Sequence, residues 1–255
     1  MMAWSELRQL EIGGGKVTES VAGAVLQLPA GATRYADAQL DDYGGRRRRD
    51  FPWQPGTRLY LRARFNLPPA DFVGTAGFGF WNAPFGDPTT PWPALPRAAW
   101  FFYGSPPNDF PLRPVGPGRG WFAGTIDATT PRALSLAPAA PAVLLLNRWP
   151  TFRARFWPRI QRRLGISFQP LALDWGAWHE YELTWEREQT TFRVDGQPVL
   201  AGAPSPGGPL GFVCWVDNQF LQVTATGRIR AGTLPIRQTQ IMEIEALRIG
   251  PMLAI

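Results

Sequence analysis

The chain has 255 residues, 45% hydrophobic and only 18% charged, with 27 glycines and 27 prolines. So many helix breakers exclude a long-helix bundle or coiled coil, and the apolar content excludes a disordered chain. The net charge of +6 rests on arginine, with Lys16 the only lysine; it suits an anionic partner, but the arginine preference is read first as a genomic bias.

The opening residues, Met1-Met2-Ala3-Trp4-Ser5-Glu6, lack a basic segment followed by an apolar signal core. No apolar run approaches the roughly 18 residues of a membrane span, so a soluble, cytoplasmic protein is expected. Asp41-Asp42, before Tyr43-Gly44-Gly45, reads as a turn, with a calcium loop as the alternative. Arg46-Arg47-Arg48-Arg49 stands beside Phe51 and Trp53, a pairing that could grip phosphates and stack a base. No nucleic-acid motif accompanies it, so a solvated or acid-paired loop is expected instead.

From Leu59 onward short strands alternate with turns. Leu59, Leu61, Ala63 and Phe65 fall on one strand face and the arginines between them on the other. Residues 77–81 and 98–103 are almost wholly apolar, as in strands covered on both faces. A proline-rich loop with Trp92 at its middle joins them. Strands at this spacing indicate a sandwich or jelly roll, and no linker or repeat divides it, so one domain over 1–255 is expected.

Residues 142–164 break the pattern. Phe152, Phe156, Ile160 and Leu164 recur at every fourth position, an apolar stripe opposed by Arg153, Arg155, Arg159, Arg162 and Arg163. Pro158 should kink or divide this helix and Gly165 end it. The stripe is expected to be buried against the sandwich as a lid, with docking on a membrane or partner as the alternative.

Thr184 to Val199 reads as a hairpin turning at Asp195-Gly196. His179 shares the inner face with Tyr181, Leu183 and Trp185 and is read as structural. As the only histidine, it excludes a metal site built from several His or Cys ligands. Cys214, the only cysteine, excludes an intramolecular disulfide and reads as a small buried hydrophobe. Glu180 with Glu182, and Glu243 with Glu245, share strand faces at a spacing that permits acid–base work. Their alternation with apolar residues places them instead on a solvent face.

Trp178-His179-Glu180-Tyr181 through Trp185, followed by Phe192-Arg193-Val194-Asp195-Gly196, resembles the W-H-x-Y-x-x-x-W … F-x-V-D-G hairpin of concanavalin A-like domains. It is most similar to the laminarinase and licheninase type of glycoside hydrolase, family sixteen. Met242 to Ile249 resembles the last strand of those proteins, and Gly77 to Trp81 their P-A-F-W strand. The resemblance implies an all-β, concanavalin-like jelly-roll sandwich of two antiparallel sheets; the short helical segment near 142–165, read from its own periodicity, is then an insertion in it. It also implies an E-x-D-x-x-E strand for retaining hydrolysis. That motif is absent, and the corresponding strand, 98–103, has no carboxylate.

No catalytic residue is therefore assigned, and no motif implies a cofactor or a metal. The expected function is non-hydrolytic glycan binding in an aromatic cleft lined by Trp81, Trp92, Trp100, Phe102, Tyr103 and Trp121, since sugar rings stack on aromatic faces. The alternative is an enzyme or carrier for an apolar small molecule, because Ala98, Trp100 and Phe102 make the cleft greasy where acids would stand. A third is membrane or partner docking through 142–164.

Overall fold

The computed structural model describes residues 6–20, 23–85, 92–113 and 116–252. The chain opens with strands β1 (Arg8–Ile12), β2 (Lys16–Ser20), β3 (Gly23–Leu28) and β4 (Asp37–Asp41). The longer strands β5 (Thr57–Phe65), β6 (Thr75–Trp81), β7 (Arg97–Gly104) and β8 (Gly120–Asp127) follow. A helical excursion of α1 (Pro131–Leu134), α2 (Ala140–Leu146) and α3 (Pro150–Arg163) leads into β9 (Ser167–Pro170). Then come β10 (His179–Trp185), β11 (Gln189–Val194), β12 (Gln197–Pro204) and β13 (Gly211–Asp217). The chain continues through β14 (Gln219–Val223), β15 (Ile229–Thr233) and β16 (Gln240–Pro251).

Two antiparallel sheets of seven strands pack face to face as a jelly-roll sandwich. The front sheet runs β1-β4-β13-β6-β7-β8-β9 and the back sheet β12-β11-β10-β5-β16-β3-β2, while β14 and β15 form a separate hairpin. In β5 every second residue is buried, from Thr57 to Phe65, so Leu59, Leu61, Ala63 and Phe65 enter the core as their alternation dictates. The arginines between them turn outward and meet the glutamates of neighbouring strands. Arg58 reaches Glu182 at 2.7 Å, Arg64 reaches Glu243 at 2.8 Å, and Arg62 pairs with Glu245. Both glutamate pairs thus decorate the solvent face of the back sheet.

The hairpin differs slightly from its reading. Asp195-Gly196 does turn, with Asp195 at φ 50° and Gly196 at φ 74°, but it joins β11 to β12, and Thr184 belongs to the preceding strand. His179 ties this corner together through Nδ1 to Asp195 at 2.7 Å and Nε2 to the Asp174 carbonyl at 2.9 Å.

Aromatic rings fill the space between the sheets: Phe78, Phe101, Trp121 and Tyr181 meet edge-on, tilted or stacked at 4.9–6.3 Å. Cys214, on β13 with strands to either side, is fully buried among them.

The excursion departs most from expectation. It begins at Pro131 rather than near 142 and is divided at Asn147–Trp149, because Pro150 holds Trp149 extended (ψ 118°) and starts a new helix. α3 continues through Pro158 and closes on a Schellman motif. Ile166 N–H reaches the Gln161 carbonyl at 3.0 Å, Gly165 N–H the Arg162 carbonyl at 3.2 Å, and Gly165 takes φ 62°. The buried face is one position away from the expected stripe: Trp157 and Gln161 are buried, while Phe156 is 40% exposed. Gln161 can go inside because its Nε2 donates to the Pro111 carbonyl at 2.8 Å. Phe156→Asp should accordingly shift stability by no more than about 0.5 kcal/mol, whereas Trp157→Ala should cost about 3 kcal/mol. Urea denaturation of both variants checks the contrast.

Candidate functional site

The outward face of the front sheet is assembled in cross-strand rows. One row runs Ile12, Asp37, Asp217, Thr75 and Gly104. The next runs Leu10, Gln39, Trp215, Gly77, Phe102 and Phe122, and the third Arg8, Asp41, Val213, Gly79, Trp100 and Gly124. Strand alternation therefore sets an acid-and-amide edge beside an aromatic floor.

The glycines make the floor possible. A Cβ at Gly77 would lie 2.3 Å from the Phe101 carbonyl oxygen and 2.9 Å from the Trp215 ring, so the Trp215 indole lies directly over bare backbone. Trp215 stacks on Trp81 at 5.7 Å with planes 8° apart. Trp100 stands 6.1 Å and 6.2 Å from those two rings, and Phe102 is 5.1 Å from Trp100.

At the polar end, a cavity of about 390 Å³ is bounded by Tyr35, Asp37, Gln39, Thr75 and Asp217 together with Trp81 and Trp215. Asp217 accepts from Thr75 Oγ1 and from the Gln219 N–H, each at 2.9 Å, and Trp215 Nε1 donates to Thr75 Oγ1 at 2.9 Å. Burial pushes the Asp217 carboxyl up to about 7. Asp37, its cross-strand partner, is raised well above the usual carboxylate range by burial and then by the charge of Asp217, with the Tyr35 hydroxyl partly opposing the shift. Burial likewise raises the Tyr35 phenol, and both aspartates add to it. Around neutral pH this edge therefore offers both hydrogen-bond donors and hydrogen-bond acceptors.

The opposite end is a wholly apolar cavity of about 160 Å³. Trp100, Phe102 and Phe122 form its floor, with Phe85, Phe110 and Leu221 above. Phe85, Phe102, Phe110 and Leu221 border both cavities, so the two form one groove. β14 is held as its wall where Leu221 N–H donates to Asn108 Oδ1 at 2.8 Å. The loop after β6 is held at its root by Arg48, whose Nε and Nη2 donate to the carbonyls of Asn82 and Ala83 at 2.7 and 2.8 Å. Arg48 also donates to the Trp92 carbonyl. One member of the four-arginine run thus has a structural task.

Of the expected ligand-binding residues, Trp81, Trp100 and Phe102 come together on the groove floor. Tyr103 and Trp121 do not. Each belongs to the opposite parity of its strand and lies in the core between the sheets, so a cleft role for these two is corrected. Trp92 stands on the loop, 78% exposed. The groove is also lined by Trp215, Asp37, Asp217 and Phe85, which no pattern in the sequence singles out. Asp41 is held by Arg8 at 2.6 Å, and Asp42 by the Phe212 N–H at 2.8 Å and by Trp53, so both have structural partners in place of an open calcium loop. Among the described residues, no group of three His, Cys, Asp or Glu is placed to hold a metal ion.

No family model and no curated protein matches the chain. Among solved structures it is similar to a Crh5 transglycosylase in complex with NAG, at 11% identity over 98% of this chain and 80% of that one (TM-score 0.49). It is also similar to a pseudo beta-1,3-glucanase of Mycobacterium tuberculosis described as an immunostimulatory antigen, at 14% identity over 92% and 78% (TM-score 0.49). A third likeness is to an endo-beta-1,4-glucuronan lyase from the fungus Trichoderma reesei, at 12% identity over 97% and 91% (TM-score 0.46).

Proposed function

We propose that the chain binds a glycan in the groove on the front sheet without hydrolysing it. The observation that carries this reading is the meeting of two surfaces in one groove. Trp81, Trp100 and Trp215 supply faces for the C–H sides of sugar rings, while Asp37, Gln39, Thr75 and Asp217 supply hydroxyl partners beside them. The non-hydrolytic part is supported by β7, whose groove-facing positions are Ala98, Trp100 and Phe102.

Titration with oligosaccharides cut from β-glucans, followed by tryptophan emission, should saturate for the wild type, and Trp100→Ala should weaken binding about tenfold or more. Silence toward every glycan up to millimolar concentration would refute the proposal.

The wholly apolar end of the groove favours a second reading, a carrier or enzyme for an apolar small molecule. Native mass spectrometry of freshly purified protein separates the two: a retained hydrophobic compound supports the second, an apo mass with glycan binding the first.

A further inference from the structure

We propose that the helical excursion docks the protein on an anionic phospholipid surface, with α2, Trp149 and the outer side of α3 turned into the lipid. α2 consists only of alanine, proline, valine and leucine, yet none of its residues is buried. Leu145 is 52% exposed and Trp149, in the break that follows, 55%. A helix of such composition ordinarily supplies its apolar surface to a core; in this one Val143 and Leu144 face Trp157 and Ile160 of α3, and Leu164 at its end, across a shared cavity, while Leu145 on the other side stays in water. Phe156, on the outer side of α3, extends the apolar surface and stacks on Phe152 at 4.6 Å.

Charge is gathered at the same place. Between Asp127 and Asp174 the chain carries seven arginines and no acidic residue, whereas the remainder has 19 basic and 20 acidic residues. The sandwich is thus nearly neutral and the excursion holds the whole excess. Arg155 and Arg159 lie against the Phe156 ring at 5.9 and 5.8 Å. Their guanidinium groups are therefore positioned to meet phosphates while the ring enters the acyl boundary.

The inner side is fixed to the turn between β14 and β15 and to the loop between β7 and β8. Asn147 Nδ2 donates to the Ala225 carbonyl at 2.8 Å, Gln161 reaches the Pro111 carbonyl, and Trp157 is buried. The outer side is therefore presented on a clamped element. Among the described residues, no helix is long and apolar enough to cross a membrane, so the excursion lies on the surface. A second copy of the chain is a poorer occupant, because a two-fold interface would set these arginines against their own counterparts.

Flotation of the full chain with phosphatidylcholine vesicles, with and without phosphatidylglycerol, tests the proposal at low and high salt. The wild type should float only with the anionic vesicles, and high salt should release it. The double variant Leu145→Asp with Trp149→Asp, at exposed positions, should lose at least about tenfold in partitioning with an unchanged melting temperature. Wild type that stays unbound, or that binds neutral and anionic vesicles alike, would overturn it. So would a dimer in sedimentation velocity that the double variant dissolves, or an acidic protein that the same face captures while vesicles are ignored.

Discussion

The unfolding free energy should fall by on the order of 4 kcal/mol or more between about pH 5 and about pH 8. Burial sets the folded pKa of Asp217 and of Asp42 at about 7 against an ordinary 3.8, and Asp37 is also raised. A carboxyl that binds its proton more tightly in the folded chain stabilises the fold fully below its unfolded pKa. That contribution drains away as pH rises through the folded value. Asp195 works in the opposite sense. Burial would raise it, but the Glu180 N–H and His179 hold it below the usual range, so its contribution is lost as pH falls. The stability maximum should therefore lie on the acid side of neutral. Urea unfolding at a series of pH values checks this, and Asp37→Asn should flatten the decline and raise stability at pH 8. A rise in stability from pH 5 to 8 would mean that these aspartates are ionised and well compensated.

Trp215→Ala should cost about 3–5 kcal/mol and abolish ligand response in the groove. The side chain is 4% exposed, covers the bare backbone at Gly77, stacks on Trp81 and donates to Thr75, which in turn donates to Asp217. Its removal opens a cavity, frees Trp81 to reorient and cuts the link between the aromatic floor and the acid edge. Trp215→Phe should cost less, since it keeps a ring over Gly77 and gives up only the N–H and the larger face. Denaturation and ligand titration on both variants, below their melting temperatures, separate the loss of fold from the loss of binding. An alanine variant with wild-type stability and binding would show that the groove floor does not depend on this ring.

The sandwich was legible because β5 and the Trp178–Gly196 region alternate or turn at residues whose chemistry leaves little choice. Parity in β7 and β8 was not legible. Where both faces of a strand are covered, an apolar run such as Ala98 to Tyr103 gives no sign of which residues look inward, so Tyr103 and Trp121 cannot be told from Trp100 by pattern alone. The acid edge was hidden for the opposite reason. Asp37, Gln39 and Asp41 alternate with Ala38 and Leu40 like any solvated strand, and only the register with β13, far away in sequence, closes that face with Asp217 and Trp215. In α3 the apolar residues at every fourth position outlined a stripe that hydropathy favoured. The native face is chosen instead by the Trp157 ring and by a glutamine whose carbonyl acceptor lies in another loop.

Cys214 offers a way to time the opening of the sandwich. It is the only thiol in the chain, fully buried on an interior strand of the front sheet, and burial raises its pKa well above the ordinary value. An alkylating reagent meets neither an accessible sulfur nor a thiolate until β13 leaves the core. When reclosing outruns the reagent, labelling measures the equilibrium population of open molecules; when the reagent outruns reclosing, it counts opening events one by one. Ligand held in the groove on the other side of the same strand should slow the reaction in proportion to its occupancy, so a single modified residue could read out both folding and binding.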